Sequence, residues 1–202
     1  MTLAVRAAVV SDAPQLAALH AARISEGFLP TLGPRFLTRL YRRIATSPRA
    51  FAYVAVDDGT VVGFAAGSDD VGRLYREFLL RDGLVAAFAA APRLLRSSRR
   101  VVETLRYPSS ADVDSLPRAE ILSVAVAVRA GRRGIGRRVV AAAVAEFDRR
   151  GIDAVKVVAA ADNEAAERLY TGEGFTEVHD LAVHGGTASR AYVRRARIEA
   201  RA

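Results

Sequence analysis

Between residues 120 and 150 the chain changes character twice. Glu120-Ile-Leu-Ser-Val-Ala-Val-Ala-Val128 is a β-branched apolar run, the pattern of a buried strand. Three glycines then fall within six residues, Gly131-Arg-Arg-Gly134-Ile-Gly136. A helical pattern follows to about Arg150, where Gly151 stops it. Ala154-Val-Lys-Val-Val158 is the next strand, and a helix runs from about Asn163 to Tyr170. This order confines the chain to folds that mix helices with a sheet. It also gives the glycine turn a chemical meaning. Glycines let a backbone approach a ligand closely, and a helix N-terminus presents unpaired N–H groups and a positive dipole end. Together they make a cradle for a diphosphate, with Arg132, Arg133, Arg137 and Arg138 adding charge around it.

The flanking sequence fills in the frame. Leu3–Val9 reads as a strand, Ser11-Asp12 as a helix N-cap with Pro14 in the first turn, and Pro34 as the start of a second helix. Phe51–Val56 and Thr60–Ala66 flank Asp58-Gly59, the strongest short hairpin signal in the chain. That antiparallel pair departs from a purely parallel sheet. Residues 71 to 106 are helical in pattern and basic, with eight arginines against three acidic residues. Gly83 and Pro92 are expected to divide this segment into shorter helices. Phe175–Val183 and Thr187–Val193 around Gly185-Gly186 form a second hairpin.

Composition removes several chemistries. With 202 residues, 51% of them hydrophobic, the chain suits one domain spanning 1–202. There is no cysteine, so disulfides, thiolate nucleophiles and cysteine zinc sites are excluded. His20, His179 and His184 are not at metal-ligand spacing, and no G-x-S-x-G elbow occurs. The longest uncharged apolar stretch, Gly83–Pro92, is far short of the ~20 residues of a membrane span. The N-terminus shows no apolar signal core. A soluble cytoplasmic protein, with no membrane partner, is the expectation. The net charge of +8 rests on 29 arginines and a single lysine, Lys156. Such a balance permits a phosphorylated cofactor, an acidic substrate or nucleic acid without choosing among them.

Several readings compete for the glycine turn. A P-loop requires Lys-Ser or Lys-Thr where this chain has Arg137-Arg138, and a dinucleotide fingerprint wants glycine or alanine where Val139 stands. A turn whose glycines only relieve strain leaves the paired arginines on each side to composition. Against these, the segment Val126-Ala-Val128 followed by Gly131-Arg-Arg-Gly134-Ile-Gly136 resembles the core motif of the GCN5-related N-acetyltransferase (GNAT) superfamily. That motif is Val-x-Pro, then (Arg/Gln)-x-x-Gly-x-(Gly/Ala) and a helix. A second segment, Asn163-x-x-Ala166-x-x-x-Tyr170-x-x-x-Gly174-Phe175, matches in the expected order. Gly131 and Val128 replace the usual Arg/Gln and Pro. Val158 stands where some relatives carry a glutamate base, so that role does not transfer.

The resemblance implies a mixed α/β fold, a mostly antiparallel sheet of about six or seven strands flanked by helices. It also implies a splayed parallel pair, with a helical insertion at about 71–117. It implies acetyl-CoA as co-substrate, without metal, wedged between the strands at 120–128 and 154–158. Val124, Ala125 and Val126 would bond the pantetheine like an added strand. Arg132, Arg133, Gly134, Ile135, Gly136 and Arg137 would hold the pyrophosphate, and Asn163 would also contact the cofactor.

The implied reaction is direct attack of a primary amine on the thioester in a ternary complex. By family match Tyr170 protonates the departing thiolate. With a tyrosine pKa of about 10 and a thiolate pKa of about 8.5, that transfer is uphill by roughly 2 kcal/mol. Glu120 is the candidate base, acting through a water, and strand alternation puts Glu120, Leu122, Val124 and Val126 on one face. Phe28, Tyr41, Tyr75 and Phe78 are candidates for the acceptor pocket, whose occupant is a small-molecule or peptide amine. The last hairpin or the insertion would serve a homodimer. Two rivals stand beside the enzyme: a non-catalytic CoA-binding regulatory module on the same scaffold, and a nucleic-acid-binding protein resting on charge alone.

Overall fold

The computed structural model describes residues 3–24, 29–94, 116–182 and 188–196. Phe28, His184, the Gly185-Gly186 turn and residues 95–115 of the insertion lie outside the described residues. Seven strands make one sheet: β1 (Ala4–Ala7), β2 (Ala50–Asp57), β3 (Thr60–Ser68), β4 (Ala119–Val126), β5 (Ala154–Ala160), β6 (Thr176–Ala182) and β7 (Ala188–Arg195). Their spatial order is β1-β2-β3-β4-β5-β7-β6. Every described neighbour pair is antiparallel except β4 and β5. The expected α/β class and the parallel pair are both present.

Two helical layers cover the sheet. On one face α1 (Ala13–Arg23) and α2 (Pro34–Thr46) bury Leu16, Leu37, Leu40, Tyr41 and Ile44 against Val54, Phe64 and Ala125, with Leu74 and Phe78 of α3 (Val71–Leu94) closing the cluster. On the other, α4 (Ile135–Arg149) lays Ile135, Val139, Ala143 and Phe147 on Ala65, Ile121, Val155 and Val157. Tyr170 of α5 (Glu164–Gly172) and Phe175 join this second core. Gly63 on β3 is required by α4: a Cβ there would stand 2.6 Å from Ile135 Cγ2, so only glycine lets the first turn of α4 sit on the sheet. At the far end of α4, Glu146 accepts from Arg149 and Arg150 at 2.6–2.8 Å. Arg150 in turn reaches the Pro48 carbonyl and Asp69, and lies 4.7 Å over the Phe51 ring.

Three local expectations are corrected. Asp12 stands at the N-cap of α1 but does not cap it with its side chain. Its carboxylate instead takes a two-bond contact from Arg6 at 2.6 and 2.9 Å and one from the Val9 N–H, tying the helix entry to β1. The helix α3 is not divided at Gly83 or Pro92. A glycine costs only about 1 kcal/mol in a helix interior, and the residues that follow it are mostly alanine, the best helix former.

The third concerns β4. Ala66 pairs with Ser123 but Gly67 pairs with Ile121, so Leu122 is an extra residue, a β-bulge. Alternation is reset there. Leu122 packs with the α1–α2 layer while Val124 and Val126 pack with the α4 layer. Glu120 therefore does not share a face with Val124 and Val126; it lies on the side of α1, α2 and α3.

Two outcomes are expected. Gly63→Ala overpacks the contact with Ile135 and should lower stability by about 1–3 kcal/mol in chemical denaturation. Glu146, held near a pKa of about 2 against an ordinary 4.5 by its arginine bonds, contributes stability that is complete above about 4.5 and lost as pH falls through 2. Glu146→Gln should therefore melt lower than wild type at neutral pH, and the gap should close as pH is lowered from 4.5 towards 2.

Candidate active site

The parallel pairing of β4 with β5 covers three positions, Ala119 with Val155, Glu120 with Lys156 and Ile121 with Val157. From Leu122 onward the two strands are unpaired with each other, although β5 continues to Ala160. The sheet thus opens into a fork whose apex is Ile121. The edge of β4 along 122–126 faces this gap without strand partners from β5, and buried backbone groups in such a position require some partner.

Beyond the fork a cleft of about 430 Å³ lies between the start of α4 and α5. Its lining includes Val126, Gly131, Arg132, Gly134, Ile135, Gly136 and Arg137 on one side, and Ala165, Arg168, Leu169, Gly172 and Glu173 on the other. Gly134 is the N-cap of α4 at φ +68°, a left-handed conformation in which an L side chain is strained. Arg132 also has a positive φ, 60°. A Cβ on Gly136 would project towards Leu169, 3.6 Å away, and its absence keeps the cleft floor open. The first N–H groups of α4 are left to this cleft. Val124 and Ala125 belong to the fork rather than the cleft, and Arg133 and Asn163 do not line it.

The arginines are more engaged than the sequence reading foresaw. Arg133 donates to Asp57 at 2.7 Å, tying the glycine turn to the β2–β3 hairpin. Arg137 donates to Glu173 at 2.9 Å across the cleft mouth, and Arg168 to Glu164 at 3.0 Å. Arg132, among the described residues, has no ion-pair partner and is the charge left for a ligand. Asn163 caps α5, its side-chain oxygen accepting from the Ala166 N–H at 3.0 Å. Asp57 and Glu173 were not singled out from sequence; an isolated carboxylate carries no signal until the fold brings an arginine beside it.

The two candidate proton-transfer groups lie on opposite faces of the sheet. Glu120 stands at the apex of the fork with Lys156 Nζ 3.4 Å from its carboxylate, while that ammonium also donates to the Pro117 carbonyl at 2.6 Å. Burial raises the Glu120 pKa above the usual carboxylate range, against the opposing pull of Lys156. Its charge also raises Tyr75 on α3, whose pKa is pushed to about 12 mainly by burial. Tyr170 is buried under α5, packed on Phe175 and Tyr192 with ring centroids 5.9 and 6.1 Å away. Burial pushes its pKa up to about 12. Of the proposed acceptor-side aromatics, Tyr41 and Phe78 are core residues, whereas Tyr75 leaves 38% of its surface exposed even though its hydroxyl is desolvated. Phe175 is core, as expected. Val158 sits past the apex on β5, partly exposed.

Comparison with known proteins agrees with this geometry. The family model described as acetyltransferase (GNAT) family matches residues 21–175. No match is found among curated protein sequences. Among solved structures, the chain is similar to the ribosomal-protein-S18-alanine N-acetyltransferase from Escherichia coli, at 13% identity and TM-score 0.60, over 96% of this chain and 94% of that one. The ribosomal-protein-alanine N-acetyltransferase from Brucella melitensis matches at 18% identity and TM-score 0.63, over 96% and 100%. The Salmonella typhimurium protein yncA, solved with its cofactor acetyl-CoA, matches at 16% identity and TM-score 0.63, over 96% and 94%. At these identities the structural likeness speaks for the fold, and the family match speaks for the chemistry. The chain belongs to the GNAT acetyltransferase family and is an acyltransferase.

Proposed function

We propose that the protein transfers an acetyl group from acetyl-CoA to a primary amine by direct attack in a ternary complex. The observation that carries this reading is the fork: β4 and β5 part at Ile121, and the gap runs on into a cleft with a helix N-terminus at its floor. The residues present suit the carrier. The unpaired edge at 122–126 offers N–H and C=O groups to the pantetheine amides. The first turn of α4, open at Gly134 and Gly136, offers N–H groups and a positive dipole end to the pyrophosphate. Among the described residues, Arg132 has no ion-pair partner and can add charge, and the carboxylate on the rim, Glu173, is occupied by Arg137. The Asn163 oxygen is committed to capping, which leaves its amide N–H₂ for the cofactor.

Bound there, acetyl-CoA supplies an activated acyl group and a thiol leaving group. The chain supplies the proton transfers, one on each face of the sheet. Glu120, on the α1–α3 face, takes the proton released by the attacking amine, directly or through water. A carboxylate with a raised pKa is a stronger base than an ordinary one. Tyr170, on the α4–α5 face, gives its proton to the departing sulfur. At a pKa of about 12 it is fully protonated at pH 7. Against an ordinary thiolate that transfer is uphill by roughly 5 kcal/mol, more than the sequence alone implied. The same burial that raises Tyr170 also raises a sulfur held beside it, which narrows the gap. Amine and thiol thus approach the fork from opposite sides. The acceptor is a small-molecule or peptide amine that enters over Glu120.

Three measurements test this reading. Acetyl-CoA at about 100 times its Kd should stabilise the protein by ~2.7 kcal/mol in thermal denaturation; no shift would sink the proposal. With an amine that turns over, kcat/KM should show an acidic limb above the ordinary carboxylate range, absent in Glu120→Gln; an unchanged profile removes Glu120 from the mechanism. Tyr170→Phe should lower kcat by at least roughly 100-fold while leaving acetyl-CoA affinity near wild type.

A further inference from the structure

Three polar side chains cross the otherwise apolar layer between α1, α2 and the sheet. His20 of α1 lies within 2.7 Å of the Tyr41 hydroxyl on α2, through Nδ1, and that hydroxyl lies 3.0 Å from Ser123 Oγ on β4. His20 and Tyr41 are almost wholly buried, at 3% and 2% exposure, whereas Ser123 is only half-buried. The chain of contacts therefore starts in the core and ends at a partly open serine. Ser123 is the residue directly after the bulge at Leu122 and two beyond Ile121, the last residue paired with β5. Through its cross-strand partner Ala66, it shares the α1–α2 face with Glu120. It stands where the fork opens, on the side from which the amine arrives.

The direction of the hydrogen bonds follows from the far end. His20 is neutral, its pKa driven down to about 4 by burial. One ring nitrogen therefore carries a proton and the other a lone pair. Among the described residues, buried His20 Nε2 has no hydrogen-bond partner. A buried N–H without an acceptor is a rarer and costlier defect than an unused lone pair. The proton is accordingly placed on Nδ1, which donates to the Tyr41 oxygen. Tyr41, a neutral phenol in this burial, then donates its proton to Ser123 Oγ. Among the described residues Ser123 Oγ has no further hydrogen-bond partner, so its proton is left for the fork. Had the order been reversed, Ser123 would have offered the fork only a lone pair.

Building on the acetyl-CoA reading above, we infer that Ser123 is a catalytic residue whose hydroxyl donates a hydrogen bond to the acyl oxygen of the bound thioester, with Tyr41 and His20 as positioning residues that fix its direction. The acyl carbon must lie between an amine on the Glu120 face and a sulfur on the Tyr170 face. Its oxygen then falls beside the post-bulge stretch of β4. There the Ser123 hydroxyl joins a backbone N–H in stabilising the negative charge that grows on that oxygen during attack. No bond to serine is made or broken; the hydroxyl donates a hydrogen bond throughout.

The test needs no knowledge of the acceptor. Acetyl-CoA labelled with ¹³C at the thioester carbonyl is bound to wild type, Ser123→Ala, Ser123→Thr and Tyr41→Phe, and the carbonyl stretch is read by isotope-edited infrared difference spectroscopy. The wild-type band should lie below that of the free thioester. It should move back up in Ser123→Ala, stay low in Ser123→Thr, which keeps a hydroxyl, and fall between in Tyr41→Phe. Affinity for CoA without an acyl group should be unchanged in Ser123→Ala. Once an amine substrate is in hand, its kcat should fall roughly 100-fold. A Ser123→Ala protein that binds acetyl-CoA with the wild-type carbonyl band overturns the inference alone. Failure of wild type to bind acetyl-CoA overturns the underlying reading, and the inference with it.

Discussion

The structure turns on the place where β4 stops pairing with β5. Three rungs of parallel pairing hold the strands together as far as Ile121, and the bulge at Leu122 turns β4 away immediately afterwards. A parted parallel pair leaves backbone donors and acceptors facing a gap in the middle of a sheet, where an edge strand does not normally occur. That is an unfavourable arrangement for an isolated chain and a favourable one for a ligand with amides of its own. The neighbouring elements keep the gap in place. The packing of Ile135 over Gly63 fixes where α4 begins, and so where its N-terminal N–H groups point. The Glu146–Arg150 cluster anchors the other end of the same helix to the start of β2 and to Asp69, just past β3.

The bulge does a second thing. By resetting alternation it divides the side chains of β4 between two environments. Glu120, Leu122, Ser123 and Ala125 face the α1–α2 layer, and Ile121, Val124 and Val126 face α4. A regular strand would have placed Glu120 with Val126. Because it does not, the proposed base Glu120 and the proposed acid Tyr170 are separated by the thickness of the sheet, with the fork between them. This suits the proposed acyl transfer, in which the amine's proton and the sulfur's proton are handled by different groups.

Charge is handled locally. Several arginines around the site are held by carboxylates: Arg133 by Asp57 and Arg137 by Glu173 across elements, and Arg168 by Glu164 within α5. The basic composition therefore overstates the field that a ligand meets at the cleft. Lys156, the single lysine, is half-buried beside Glu120, where its charge partly offsets the desolvation of the carboxylate. A polar chain from His20 to Ser123 is the corresponding device on the α1–α2 side, oriented from a neutral imidazole at its buried end.

What the sequence determined was the element order and the two motifs. Strand periodicity, the Asp58-Gly59 turn with both residues at positive φ, and the glycine turn opening α4 are short-range features. Local sterics and hydrogen bonding set them, so they can be read from neighbouring residues. The family resemblance was legible for the same reason, since its motifs lie in those local turns. The tertiary structure alone decided where β4 and β5 part, which face Glu120 takes, and which arginines are occupied. It also decided that α3 runs unbroken past Gly83. One inserted residue at Leu122 carries no compositional mark, because its effect depends on the register of β3 beside it. Ion pairs such as Arg133–Asp57 join residues far apart in the chain and arise only when the fold brings them together. Single-residue spacing records neither, since both are properties of surfaces assembled from several elements.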